Sequence, residues 1–73
     1  EIRIPASSPV CGQTLKQLSL RQTARVGIAA VVAPDGELEI NPDGATPIKS
    51  GSTLIAVGWK QDLEVLEKLV LAG

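Results

Sequence analysis

The sequence predicts a small α+β fold with the element order β-α-β-β-β-α. Short segments that alternate polar and apolar residues indicate strands, turns rich in Pro and Gly separate them, and two segments with leucines at helical spacing indicate helices. The 73 residues leave room for one domain with a thin core, because a chain near this size hides only roughly 60% of its unfolded surface.

The first strand and the first helix are separated by a turn. Residues 1–4 alternate before Pro5, which is typical of a strand with one buried face. Residues 6–9 and Gly12 have turn chemistry, and the Thr14 hydroxyl that follows can cap a short helix carrying Leu15 and Leu18. We expect this helix to end between residues 20 and 24.

Three strands are predicted in the middle of the chain. Residues 26–32 are apolar with small residues interleaved, which predicts a central strand buried on both faces. The turn at residues 34–36 and the alternation at residues 37–40 predict a hairpin. Further turns at residues 41–44 and 47–51 lead into a strand at residues 52–58.

The last element is predicted to be an amphipathic helix over residues 61–71. Leu63, Leu66, Leu69 and Val70 share one stripe, whereas charged residues mostly occupy the other faces. Acidic residues near its start suit the helix dipole, although no Ser or Thr precedes it as a cap.

Composition argues against several classes of function. Seven basic and eight acidic residues give a net charge of -1 without a basic run, which disfavours nucleic acid as a partner. The longest apolar run, residues 26–33, is eight residues long, and a membrane-spanning helix needs roughly 20. We therefore expect a soluble module, and the absence of an initial Met suggests a fragment of a longer polypeptide.

The sequence lacks the residues that catalysis and metal binding usually require. The chain has one Cys and no His, so it has no internal disulfide, no four-ligand zinc cage and no imidazole base beside a nucleophile. We expect no enzyme, and oligomerisation is then the remaining way to supplement a thin core. Phosphate-binding GxGxxG and GxxxxGK motifs are also absent from the sequence.

A few polar or aromatic residues leave alternatives open. The acidic residues of the turns are expected to be solvated, with a calcium site as the alternative, although their spacing matches no EF-hand. Arg21 is a candidate for binding phosphate or carboxylate, with a structural salt bridge as the alternative. Cys11 is predicted to lie in or near the core and Trp59 at an edge or interface, or as a platform for an aromatic ligand. The acidic residues are Asp35, Glu37, Glu39 and Asp43.

The order and spacing of several motifs resemble a known family over essentially the whole chain. The motifs are SPVCGQTL at residues 8–15, LSLR at 18–21, VGIAAV at 26–31, INPD at 40–43, TPIKSGSTL at 46–54, VG at 57–58 and QDL at 61–63. The family that they resemble is the C-terminal lobe of RCK domains, the regulators of potassium conductance, also called TrkA-C.

The resemblance implies a lobe with a mostly antiparallel sheet covered by helices, which pairs as a homodimer behind an N-terminal RCK lobe. It also implies a cytoplasmic location at the inner face of the membrane, as part of a potassium or other cation channel or transporter. In several members the cleft between paired lobes binds a regulatory ligand, of which cyclic di-AMP is the best known. By similarity this cleft would be lined by Leu15, Lys16, Arg21, Asn41 and Pro42, with Arg21 contacting phosphate.

One position departs from the nucleotide-binding members of this family. Gly27 stands where they carry Asn, which removes a polar contact to the base. Two functions therefore remain: a ligand-sensing regulatory lobe, or a purely structural dimerisation module with an empty cleft. The regulatory lobe of a transporter for something other than potassium is a further alternative. No cofactor is predicted apart from cyclic di-AMP as a candidate ligand, and no metal is predicted.

Overall fold

The structure, a computed structural model, describes residues 1–21 and 26–72, with the side chains of residues 19–21 left out. It confirms the predicted order of elements. The strands and helices are β1 (Ile2–Arg3), α1 (Leu15–Arg21), β2 (Val26–Val32), β3 (Leu38–Ile40), β4 (Thr53–Gly58) and α2 (Lys60–Leu71).

The four strands form one antiparallel sheet in the order β1-β4-β2-β3. The predicted hairpin of β2 and β3 is confirmed. Its turn is closed by the amide of Gly36, which donates to the carbonyl of Ala33 at 2.8 Å, while the Asp35 carboxylate accepts from the Glu37 amide at 2.9 Å. Gly36 has a φ of +90°, which a residue without a side chain adopts at little cost.

The hydrophobic core lies on one face of the sheet, beneath both helices. Leu54 of β4 is fully buried there, and its register partner Ile2 is 7% exposed. From the helices, Leu18 and Leu66 enter the same cluster and are almost completely buried. The stripe predicted on α2 is confirmed at Leu66 and Val70, which are buried, and Leu69 packs against the cluster.

The prediction that β2 is buried on both faces is wrong for a single chain. Gly27 and Ala29 are exposed, and most other residues of the strand are half-buried. The strand also contains a bulge, because Ile28 pairs with Ala56 whereas Ala30 pairs with the adjacent Ile55. This extra residue breaks the alternation of side chains between the two faces of the sheet. The prediction that β2 is central is confirmed.

Cys11 lies beside the core, as predicted. It packs against the buried cluster, and its thiol donates a hydrogen bond to the carbonyl of Pro5 at 3.4 Å. Trp59 is 74% exposed at the start of α2, where no side chain caps the helix. Within the described ranges, neither helix has the length and apolar character needed to cross a membrane.

Candidate functional site

A cleft of about 340 Å³ lies where the start of α1 meets the start of β2 and the turn that follows β3. Three of the five residues predicted from the resemblance line it, namely Leu15, Lys16 and Pro42. Its other lining residues are Leu18, Val26, Gly27, Ile28 and Gly44.

The start of α1 is fixed by reciprocal hydrogen bonds between side chains and backbone. The Thr14 hydroxyl accepts from the backbone amide of Gln17 at 3.2 Å. In return, the side-chain Oε1 of Gln17 accepts from the backbone amide of Thr14 at 2.8 Å. This arrangement is a capping box. The predicted cap at Thr14 is confirmed, and it holds the first turn of the helix at the wall of the cleft.

The loop after β3 is bound directly to the same end of α1. The amide of Lys16 donates to the carbonyl of Gly44 at 2.9 Å, and the amide of Leu15 donates to the carbonyl of Thr46 at 3.1 Å. A side chain at position 44 would place its Cβ 3.3 Å from the Cβ of Lys16. Gly44 therefore permits the close contact that gives the cleft its shape.

The turn at residues 41–44 places Pro42 in the cleft. Asn41 has a φ of +51°, a left-handed conformation that Asn tolerates better than most residues, and its amide donates to the carbonyl of Ala29 at 2.9 Å. The Asp43 carboxylate accepts from the amide of Ala45 at 2.8 Å and stabilises the next part of the turn. Asn41 itself does not belong to the cleft lining.

The described part of the cleft combines apolar surface with one cationic side chain. Leu15, Val26 and Pro42 supply aliphatic walls, Lys16 supplies the charge, and none of the lining residues is acidic. The first amides of α1 already donate to carbonyl or hydroxyl oxygens of the chain, so they are engaged within the protein. An anionic group would therefore be bound here by side chains.

The position of the Arg21 side chain lies outside the described part of the structure, so neither its anion-binding role nor the alternative salt bridge is tested. Sequence patterns did not identify Leu18, Val26, Ile28 and Gly44 as residues that line the cleft. For Gly44, the turn sequence NPDG was visible, but its contact with α1 depends on the tertiary fold.

Three of the four acidic residues noted in the sequence accept hydrogen bonds from nearby groups. Asp35 and Asp43 accept from nearby amides, and a Glu39 oxygen accepts from the Thr46 hydroxyl at 3.3 Å. Across residues 1–21 and 26–72, no three His, Cys, Asp or Glu side chains come together as a metal site. A second cavity, of about 360 Å³, lies between β3 and the loop before β4 and carries both Glu37 and Lys49.

The fold and the cleft at the start of α1 now allow comparison with known proteins. The family model of the TrkA-C domain matches residues 1–71, and the chain therefore belongs to the TrkA-C family. This is a family of regulatory, non-catalytic domains, and membership indicates a regulatory domain of potassium transport proteins. A search of curated proteins gave no significant match.

Proposed function

We propose that this chain is a ligand-sensing, dimerising lobe that regulates a potassium or other cation channel or transporter from the cytoplasmic side. The observation that carries the proposal is the cleft, which brings Leu15, Lys16 and Pro42 together in a member of the TrkA-C family. In this proposal the chain is one domain of a longer protein. An N-terminal RCK lobe and a membrane pore or transporter are its partners within that protein.

The chemistry of the cleft favours a ligand with both an apolar or planar part and an anionic group. The aliphatic walls at Leu15 and Pro42 suit a flat ring, and the Lys16 ammonium suits a phosphate. Cyclic di-AMP is the candidate ligand that the family suggests. Because Gly27 offers no side chain, recognition of the base would rest on apolar contact and backbone groups.

Regulation would follow from a difference in affinity between two arrangements of paired lobes. A ligand shifts a conformational equilibrium only as far as it binds one arrangement better than the other. A tenfold preference changes the balance by about 1.4 kcal/mol, which is sufficient for a gate whose two states are nearly equal in free energy.

A non-catalytic role fits the positions of the nucleophilic groups. The Cys11 thiol donates to a backbone carbonyl beside the core and does not line the cleft. The chain has no His to activate a nucleophile. We therefore extend the family's non-catalytic role to this chain.

The test is calorimetric titration of the purified chain with cyclic di-AMP, with light scattering to measure its mass. We expect a dimer that binds one ligand per two chains, and at least about tenfold weaker binding in Lys16→Ala and Arg21→Ala. Lys68→Ala is the matched control, because Lys68 lies on α2 outside both cavities and should leave the affinity unchanged.

The outcome separates the two candidate functions. A dimer that binds no cyclic di-AMP would favour the structural dimerisation module. Equal weakening by Lys68→Ala would show that overall charge, and not the cleft, determines binding.

A further inference from the structure

The second cavity, between β3 and the loop before β4, is separate from the cleft at the start of α1. The two share no lining residue. The volume of the second cavity, about 360 Å³, lies at the small end of the roughly 300–1,000 Å³ that ligand pockets span. Its lining combines aliphatic residues with three charged side chains and two hydroxyl groups. A molecule bound there would therefore be small and would not occupy the cleft.

Strand register directs the carboxylates beside the hairpin turn toward this cavity. Glu39 of β3 is the register partner of Val31 in β2, so both side chains project from the same face of the sheet. Val31 packs against the core cluster, and both residues line the cavity. Glu37, two residues before Glu39, lines it as well. One wall of the cavity thus carries two carboxylates beside the aliphatic surface of Val31 and Ala33.

The opposite wall is a turn over residues 49–52. The amide of Ser52 donates to the carbonyl of Lys49 at 3.2 Å, and Gly51 has a φ of +82°, which the third residue of a type II turn requires. The amide of Gly51 also donates to the carbonyl of Ile4 at 2.7 Å, which fastens the turn to the segment after β1. The backbone that carries Lys49 and Ser52 is therefore held in place by hydrogen bonds.

The charged side chains of the two walls do not neutralise each other. The Thr46 hydroxyl donates to Oε2 of Glu39 at 3.3 Å, which joins the loop to β3. Among the described residues, however, Lys49 forms no ion pair with Glu37 or Glu39, although all three line the cavity. A ligand with both charges can therefore bind the ammonium group and a carboxylate without breaking an ion pair between them.

Ser52 is the residue that points to a ligand. It is only 3% exposed, yet it lines the cavity. Its hydroxyl forms no hydrogen bond with any residue that the structure describes. Buried hydroxyl groups nearly always have a partner, because burial without one is unfavourable. A polar group of a bound molecule would supply the partner that this hydroxyl lacks within residues 1–21 and 26–72.

We propose that the second cavity binds a small zwitterion of the amino-acid type. Its ammonium group would lie at the carboxylates of Glu37 and Glu39, and its carboxylate would accept hydrogen bonds from Lys49 Nζ and the Ser52 hydroxyl. Its carbon atoms would contact Val31. A molecule with both charges satisfies both walls, whereas a simple amine or a simple carboxylate satisfies one. The site would give the domain a second effector, separate from any ligand of the cleft.

The test is a titration of the isotope-labelled chain with L-alanine, L-glutamate and L-lysine, followed by two-dimensional NMR. At about 10 mM, an amino acid with a dissociation constant of roughly 1 mM occupies about nine-tenths of the sites. For at least one of the three, we expect saturable shifts in the amide signals of Glu39, Thr46, Lys49 and Ser52. Methylamine and acetate each carry one of the two charges and should bind at least about tenfold more weakly.

Side-chain variants test each wall of the cavity. Lys49→Ala, and Glu37→Gln combined with Glu39→Gln, should each weaken binding by about tenfold or more, because each removes the charge that holds one end of the ligand. Glu64→Gln and Lys68→Ala are the matched controls. Both residues are exposed on α2 and line neither cavity, so the affinity should stay unchanged.

Ser52→Ala distinguishes a ligand contact from a structural role. Because the hydroxyl has no partner within the described residues, its removal should leave the thermal unfolding midpoint of the free chain unchanged. Binding of the amino acid should nevertheless weaken severalfold, since its carboxylate loses one donor. A lower midpoint with unchanged affinity would refute the proposed contact between Ser52 and the ligand.

Three results would overturn the proposal. If none of the three amino acids shifts the signals, the cavity is not their site, and the proposed function, which rests on the cleft, still stands. Shifts confined to Leu15, Lys16 and Gly44 would place the amino acid in the cleft instead. Equal binding of methylamine and the amino acids would show a site for cations alone.

Discussion

Single residues at the start of α1 connect the fold to the cleft. Thr14 and Gln17 satisfy each other's amides, and Gly44 approaches Lys16 closely enough to bind its backbone. These contacts fix the positions of Leu15 and Lys16, so changes here should affect stability and cleft geometry together.

The cap at Thr14 gives the prediction at this scale. Thr14→Ala should lower the free energy of unfolding by about 1 kcal/mol, because the Gln17 amide loses the hydroxyl that accepts its hydrogen bond. Urea denaturation followed by circular dichroism measures the change. Ser7→Ala, in an exposed turn, is the control and should stay within about 0.5 kcal/mol of wild type. Equal effects of both changes would contradict a capping role.

At the scale of elements, α2 stabilises the lobe through a narrow apolar stripe. Leu66 is fully buried against the sheet, while Leu71 on the same helix is 55% exposed. Leu66→Ala should cost roughly 2–5 kcal/mol by leaving a cavity. Leu71→Ala should change stability by about 0.5 kcal/mol or less. Chemical denaturation of both variants, at one fixed protein concentration, tests this difference. Similar losses of unfolding free energy in the two variants would contradict the placement of Leu66 in the buried stripe of α2.

The helices and strands also differ in how well the sequence predicted them. Local patterns identified the helices and strands, since alternation at residues 37–40 and the leucine stripe of α2 are each set within a short segment. The burial of β2 was not predictable in this way. Its bulge shifts Ala30 to the opposite face from Ile28, and a shift of register leaves no mark in a run of small apolar residues.

In the candidate site, too, some residues could be predicted from the sequence and others could not. The resemblance supplied Leu15, Lys16 and Pro42, which the fold brings to one cleft from two separate segments. Gly44 and Val26 were missed as lining residues because their places depend on how the loop after β3 and the start of β2 meet α1. Such contacts join residues far apart in sequence, and no short pattern encodes them.

At the scale of the whole molecule, the thin core leads us to expect that stability depends on the proposed pairing. A partner that binds only the folded chain raises its stability with concentration. We expect the thermal unfolding midpoint to rise as the protein concentration increases. A midpoint independent of concentration in the wild-type chain would contradict pairing in solution.

Coupling between the cleft and pairing leads to the last prediction. If a ligand in the cleft contacts both copies, as the proposed function requires, ligand binding must strengthen pairing by the same factor by which pairing strengthens ligand binding. Saturating cyclic di-AMP should therefore lower the dimer dissociation constant measured by sedimentation. Lys16→Ala should abolish this shift, because Lys16 supplies the cationic side chain of the cleft. A ligand that binds without changing the constant would show that each cleft is complete within one chain, and regulation would then act through the lobe's contacts with the rest of its protein.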